Sequence, residues 1–172
     1  MNGQTKIPIT IRRMEVRDIE RVREIDRHSF TLTWSENSYM YELTQNVNSR
    51  LWVAEVTNHL TGNKKVAGIL GAWMILDEVH IATLAVDPVF RQMHIGSQLL
   101  DHALLQAGKE GAVVSRLEVR AGNLAAIKLY EKFGYSTVSI RPKYYVDNGE
   151  DALLMDLDMI QAGYTARGVT NP

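Results

Sequence analysis

Between Val79 and Arg120 the sequence reads as strand, turn, helix, strand. Val79 to Val86 is an apolar strand pattern, and Asp87-Pro88 breaks it. From about Ile95 to Lys109 apolar residues recur at helical spacing, with Leu99, Leu100, Ala103, Leu104 and Ala107 on one face. Gly111 closes that helix, and Val113 to Arg120 reads as a strand. A helix between two strands is the crossover that parallel neighbours need. The stretch before it has another logic. Leu51 to Val56 and Val66 to Ile75 flank the turn Thr61-Gly62-Asn63-Lys64, the pattern of an antiparallel hairpin. A chain with both connections requires a mixed sheet.

The remaining elements follow the same reading. Ile9 to Met14 alternates as a strand, and Asp18 to Phe30 is helical, with Ile19, Val22, Ile25 and Phe30 as core positions. Ser35 can cap a second helix through Tyr39 and Leu43. Asn123 caps a helix carrying Ala126, Ile127, Leu129, Tyr130 and Phe133, which Gly134 ends. Two final strands fall near Tyr135 to Ile140 and Ala152 to Leu157. The order is β-α-α-β-β-β-α-β-α-β-β, an α/β chain of the α+β mixed-sheet kind. Purely parallel doubly wound folds do not begin this way. The 172 residues suit one domain over 1–160, followed by a flexible tail at 161–172 that is poor in apolar residues.

Composition removes several chemistries. With no cysteine, disulfides, thiolate metal sites and a cysteine nucleophile are excluded. The five histidines, His28, His59, His80, His94 and His102, show no HExxH spacing, so no metal is expected. Neither a G-x-S-x-G elbow nor a P-loop occurs. A net charge of −1 asks for neither a nucleic-acid nor a membrane partner. Met1 to Thr10 lacks the long apolar region of a signal peptide, and no run approaches the roughly 20 apolar residues that span a bilayer. The expected location is the cytoplasm. Nothing in the pattern sets an oligomeric state.

Two stretches carry chemistry. The first is Leu84-Ala85-Val86-Asp87-Pro88-Val89-Phe90-Arg91-Gln92-Met93-His94-Ile95-Gly96-Ser97. Backbone N–H groups at a helix start lack internal partners, and the helix dipole adds partial positive charge. A pyrophosphate satisfies both. Gly96 admits a close backbone approach, and Arg91 adds charge. Arg91-Gln92-Met93-His94-Ile95-Gly96 resembles the acetyl-CoA motif of the GNAT superfamily, Arg/Gln-x-x-Gly-x-Gly/Ala, with His94 at the first glycine. A non-glycine residue there is strained in any positive-φ conformation. His94 either faces solvent or, if protonated, contacts a phosphate.

The second stretch runs from Leu117 to Tyr135. Acetyl transfer to an amine needs a proton removed from the amine and one supplied to the leaving thiolate. A carboxylate and a phenol are suitable types, and Glu118 and Tyr130 provide them. Asn123 and Tyr130 lie seven residues apart, about two turns, so they share a helix face. On the residues alone, Glu118 can equally be a solvated or Arg120-paired strand-end glutamate, and Tyr130 a core tyrosine.

The run Leu117-Glu118-Val119-Arg120, Asn123, Leu129-Tyr130 and Gly134-Tyr135 resembles the ribosomal-protein alanine N-acetyltransferases of the RimI type. Thr33-Trp34-Ser35 is similar to that family's Pro-Trp-Ser, with Thr33 replacing proline. Tyr144-Tyr145 followed by Glu150-Asp151-Ala152-Leu153-Leu154-Met155 is similar to its C-terminal signature. The likeness spans about 30–157. It implies a GNAT fold, a mixed central sheet with flanking helices and splayed middle strands. It also implies acetyl-CoA as donor and the N-terminal alanine of a ribosomal protein as acceptor. Carried over by position, Glu118 is the general base and Tyr130 the general acid, also beside the cofactor. Leu84, Ala85 and Val86 pair with the pantetheine arm. Arg91, Gln92, Met93, His94, Ile95, Gly96 and Ser97 hold the pyrophosphate, and Asn123 contacts CoA. Trp34, Tyr144 and Tyr145 line the peptide groove, although a paired aromatic can equally be strand packing.

An α-amino group has a pKa near 7.7–8.0, against about 10.4 for lysine, so roughly a tenth of it is free base near neutral pH. One glutamate then suffices as base for a protein N-terminus, and direct attack on the thioester is expected. Two other readings stay open. One is a small-molecule amine acetyltransferase; a polyamine acceptor would use an acidic feature such as Asp77-Glu78, which can equally be the turn between strands. The other is a degenerate CoA-binding domain without catalysis, motivated by His94.

Overall fold

The structure, a computed structural model, describes residues 8–58 and 60–164. The strands are β1 (Ile9–Arg13), β2 (Ser49–Thr57), β3 (Lys64–Ile75), β4 (Glu78–Val86), β5 (Val114–Arg120), β6 (Ser136–Tyr145) and β7 (Glu150–Asp158). The helices are α1 (Ile19–Arg27), α2 (Glu36–Thr44), α3 (Ile95–Lys109) and α4 (Leu124–Lys132). One seven-stranded sheet runs in the order β1-β2-β3-β4-β5-β7-β6. β4 and β5 are parallel, while β1/β2, β5/β7 and β6/β7 are antiparallel. The crossover and the hairpin thus coexist as their sequence patterns require. Among the described residues, no helix is long and apolar enough to cross a membrane.

Local chemistry sets the helix boundaries. Ser35 Oγ accepts the Ser38 N–H at 3.0 Å, and Asn123 Oδ1 accepts the Ala126 N–H at 3.2 Å. Each such cap stabilises its helix by about 1 kcal/mol. After α4, Gly134 takes φ +94°, the left-handed turn that ends many helices.

The chain divides into two compact units, Met1–Leu70 with Thr83–Leu100, and Gly71–Ala82 with Asp101–Pro172. In the first, Val22 and Ile25 of α1 pack with Tyr39, Val53 and Ile69. Each large apolar side chain so buried contributes about 1.5–3 kcal/mol. Phe30 departs from expectation: it is 38% exposed, because α1 ends at Arg27 and Phe30 leaves its apolar face.

In the second unit Ser115, Leu117 and Val119 point inward from β5, and Arg116 and Glu118 outward. Tyr130 is the one fully buried residue of α4; Ala126, Ile127 and Leu129, together with Phe133 just beyond, are half-buried rather than core. β6 continues past Ile140 to Tyr145. Pro142 does not stop it, since an edge strand has a side whose N–H groups need no ladder partner. Past β7, Met159 is fully buried and its N–H bonds Val113 O at 2.9 Å. The Tyr164 phenol donates to Asp101 Oδ1 at 2.9 Å, and 165–172 lie outside the described residues.

One buried group sets a pH dependence. Asp26 is 1% exposed; its Oδ2 accepts the Tyr39 hydroxyl at 2.6 Å, and its Oδ1 has no partner among the described residues. Burial raises its pKa to about 6, against the Tyr39 bond, which lowers it. An unfolded aspartate titrates near 3.9, so the stability this group contributes is full below about pH 4 and is lost as pH rises through about 6. Asp26→Asn keeps an oxygen for Tyr39 and removes the titration. Relative to the variant, the wild type should lose up to about 3 kcal/mol between pH 4 and 7. Denaturant unfolding across that range checks it, and parallel pH profiles for the two proteins would contradict it.

Candidate active site

In the first unit, β4 ends at Val86 and a single 3₁₀ turn, Pro88–Phe90, leads to the loop before α3. Asp87 makes that turn. Its Oδ1 accepts the Val89 N–H at 2.9 Å, and its own N–H bonds Ala67 O at 2.9 Å. Burial would raise the Asp87 pKa, but the Val89 N–H and the Arg21 guanidinium outweigh it and hold the carboxylate below its usual range. Arg91 is exposed, with Nε 3.4 Å from Val86 O.

Gln92 and His94 both take left-handed backbone, φ +62° and +60°. The motif position where glycine is the ordinary residue therefore has a conformation that favours glycine, yet histidine fills it. Each such residue costs about 1 kcal/mol or more, and strain of this kind gathers at ligand-binding loops. The His94 side chain is exposed, and His94 O accepts the Gln98 N–H at 3.0 Å. Its side chain is thus turned to solvent while its backbone starts α3. Ile95 is buried and anchors the first turn; Gly96 and Ser97 are partly accessible. The N–H groups of this turn suit an anion.

Gly68 on β3, which sequence reasoning did not single out, fixes where that turn sits. A Cβ there would lie 3.0 Å from both Ile95 Cγ2 and Leu99 Cδ1, and 3.1 Å from Ala85 O. Only the absent side chain lets α3 approach this closely. The β4–β5 ladder runs from Glu78↔Val114 to Ile81↔Leu117, and the backbone of Leu84, Ala85 and Val86 is not part of it. That backbone is what an extended, amide-bearing ligand arm would pair with. Trp34, also in this unit, meets Tyr39 at a ring-centroid distance of 5.2 Å.

The second unit assembles the charged chemistry. Glu118 lies opposite Leu154 of β7 and points outward. Its carboxylate pairs with Arg141 of β6 and not with Arg120. The same carboxylate raises the Tyr144 pKa. The Arg141 guanidinium lies 5.5 Å from the Tyr144 ring, and Tyr144 meets Tyr145 edge-on at 5.2 Å. Arg120 instead stacks on Tyr145 at 3.8 Å and is held by Asp147 at 2.9 Å and Glu150 at 3.2 Å. Glu150 Oε1 also accepts the Gly122 N–H at 2.6 Å, which ties the β6–β7 turn to the segment before Asn123. Asn123 uses Oδ1 for its cap, so its Nδ2 is the donor a ligand would meet.

Tyr130 is 7% exposed and meets Tyr135 edge-on at 5.6 Å. Burial first, and the Tyr145 phenol second, keep its hydroxyl protonated well above the ordinary tyrosine range. Tyr145 is electrostatically coupled to both Tyr130 and Glu118. The unit thus gathers a carboxylate, a protonated phenol and two further tyrosines. Arg141 was missed because nothing local in the sequence connects it to Glu118, 23 positions earlier.

The loop strain is testable. His94→Val should lower stability by about 1–2 kcal/mol relative to wild type, since a β-branched residue resists φ > 0, whereas His94→Gly should not lower it. Thermal unfolding decides, and a valine variant as stable as wild type would contradict the assigned backbone.

Comparison with known proteins points the same way. The sequence model of the Acetyltransferase (GNAT) family matches residues 19–135. A Bacillus subtilis (strain 168) protein is 37% identical over 150 residues, covering 87% of this chain and 95% of its own. The ribosomal protein bS18-alanine N-acetyltransferase of Escherichia coli (strain K12) is 34% identical over 150 residues, covering 86% of this chain and 96% of its own. The crystal structure of the Escherichia coli ribosomal-protein-S18-alanine N-acetyltransferase superposes with a TM-score of 0.78 at 29% identity, covering 96% of this chain and 99% of that one. With its mixed sheet, crossover helix and strained loop, this chain belongs to the GNAT family of acetyltransferases.

Proposed function

We propose that the protein transfers an acetyl group from acetyl-CoA to a protein N-terminal α-amino group, with the N-terminal alanine of a ribosomal protein as its acceptor. The carrying observation is that the second unit holds both the outward-facing Glu118 carboxylate and the buried Tyr130 phenol, in a chain whose Escherichia coli relative is named for that activity. The residues fit the donor: the α3 N-terminus offers N–H groups to phosphate, Gly68 lets that turn sit close, and Leu84–Val86 has backbone outside the β4–β5 ladder. Acetyl-CoA supplies the thioester carbonyl that the amine attacks.

The chain's own groups do the rest. Arg91, Gln92, Met93, His94, Ile95, Gly96 and Ser97 hold the pyrophosphate, and Asn123 donates from Nδ2. Glu118 takes a proton from the α-ammonium, directly or through a water. Arg141 holds the Glu118 carboxylate in place while it does so. Tyr130 offers its O–H to the charge that develops on the departing sulfur. A thiol near pKa 8.5 is more acidic than this phenol, so the O–H first acts as a strong hydrogen-bond donor and completes the proton transfer late. Trp34, Tyr144 and Tyr145 border the acceptor peptide. The reaction takes place in the cytoplasm. A polyamine acceptor finds less support, because Glu78 is engaged by Arg116 and His80 at 3.0 Å each.

Glu118→Gln and Tyr130→Phe should each lower CoA release with a peptide beginning Ala-Arg by about 10²–10⁴-fold, with acetyl-CoA binding retained. Near-wild-type turnover in both variants would remove the assignment.

A further inference from the structure

We infer that Arg21 of α1 is a positioning residue for the pyrophosphate loop, acting through Asp87. The inference rests on the proposed reading of that loop as the acetyl-CoA phosphate site. Arg21 is partly buried and all three arms of its guanidinium are engaged. Nε donates to Val66 O on β3 at 3.0 Å, one terminal nitrogen meets Glu24 Oε2 at 2.7 Å, and the other pairs with Asp87 Oδ2. Its side chain is 22% exposed and that of Asp87 10%.

Asp87 is where β4 stops. Its backbone N–H is its last tie to β3, through Ala67 O, and its carbonyl accepts the Phe90 N–H at 2.9 Å. One carboxylate oxygen caps the Pro88–Phe90 turn and the other is spent on Arg21. The carboxylate orientation that caps the turn is therefore the one the guanidinium fixes. Four residues later comes Arg91, then the two strained residues Gln92 and His94. A strained loop keeps its shape only if its ends are held. Ile95 and Leu99 against Gly68 hold the α3 end. Arg21 and Asp87 hold the β4 end. Lys65 is the other cation acting on Asp87, but it acts only through space. Among the described residues Arg21 makes no hydrogen bond to residues 91–97, so it reaches the loop through Asp87 and its effect should fall on acetyl-CoA.

The test is steady-state kinetics of the full chain with acetyl-CoA and a peptide beginning Ala-Arg, for Arg21→Ala, Arg21→Lys, Asp87→Asn and the Arg21→Ala/Asp87→Asn double variant. Arg21→Ala and Asp87→Asn should each raise the acetyl-CoA KM on the order of tenfold, with kcat at saturation and the peptide KM within about twofold of wild type. The double variant should be no worse than the poorer single one, because both cut the same link. Arg21→Lys, which keeps the charge without the fork, should recover part of the loss. If Arg21→Ala does not fold, Asp87→Asn, which keeps the Val89 cap, carries the same test. An unchanged acetyl-CoA KM in variants that only melt earlier would overturn the inference and leave the loop reading standing. Wild-type protein that does not bind acetyl-CoA in calorimetry would overturn both.

Discussion

The first turn of α3, whose unpaired N–H groups suit an anion, takes its position from a missing side chain on β3. Gly68 lets Ile95 and Leu99 close onto β3, with Ala85 O at the limit of contact. That approach places the free N–H groups of the first turn at the end of β4, where Asp87 has just stopped the strand. Between the two fixed ends the chain has few residues in which to reverse. It does so by driving Gln92 and His94 into left-handed backbone. The strain is small beside the apolar burial of α3, whose Leu99, Leu100 and Leu104 are fully enclosed. The motif histidine is therefore tolerated: the backbone keeps the shape that glycine adopts freely, and its imidazole turns to solvent.

The second unit solves a different problem, keeping a carboxylate ordered on an exposed strand face. Glu118 is not buried, so no dielectric effect holds it in one orientation. Arg141 does so by direct contact, and the Tyr144 phenol acts on it electrostatically. They in turn sit on β6, an edge strand with little packing of its own, whose end is fastened by Arg120 stacked on Tyr145 and by Glu150 on the Gly122 N–H. Arg120, next but one to Glu118 on β5, thus organises the aromatic pair rather than neutralising the glutamate. Tyr130 completes the contrast: a buried phenol, kept protonated by the burial that Glu118 lacks.

Much of this was legible in the sequence because it is local. The Ser35 and Asn123 caps, the Gly134 stop, the α3 face and the strand–turn–helix at Asp87 depend on residues within one or two turns of each other. Positive φ at the motif position was anticipated as the difficulty His94 would face. What was not legible depends on residues far apart in the chain. Arg141 on Glu118, Arg21 on Asp87 and Gly68 under Ile95 leave no periodic trace. The strand expected near Tyr135 to Ile140 runs on to Tyr145, because its edge position, which admits Pro142, is not visible in one segment. Phe30 and the half-buried apolar residues of α4 show the converse limit, that helical spacing gives a face but not how deeply it is covered.

The proposed chemistry stands on a protein α-amino group as acceptor. The most direct measurement is fragment-ion mass spectrometry of a peptide that begins with alanine and carries an internal lysine, after incubation with the protein and acetyl-CoA. One acetyl group is expected, on the alanine nitrogen, and none on lysine. Acetyl found only on the lysine, or an untouched peptide beside an acetylated small amine, would contradict it.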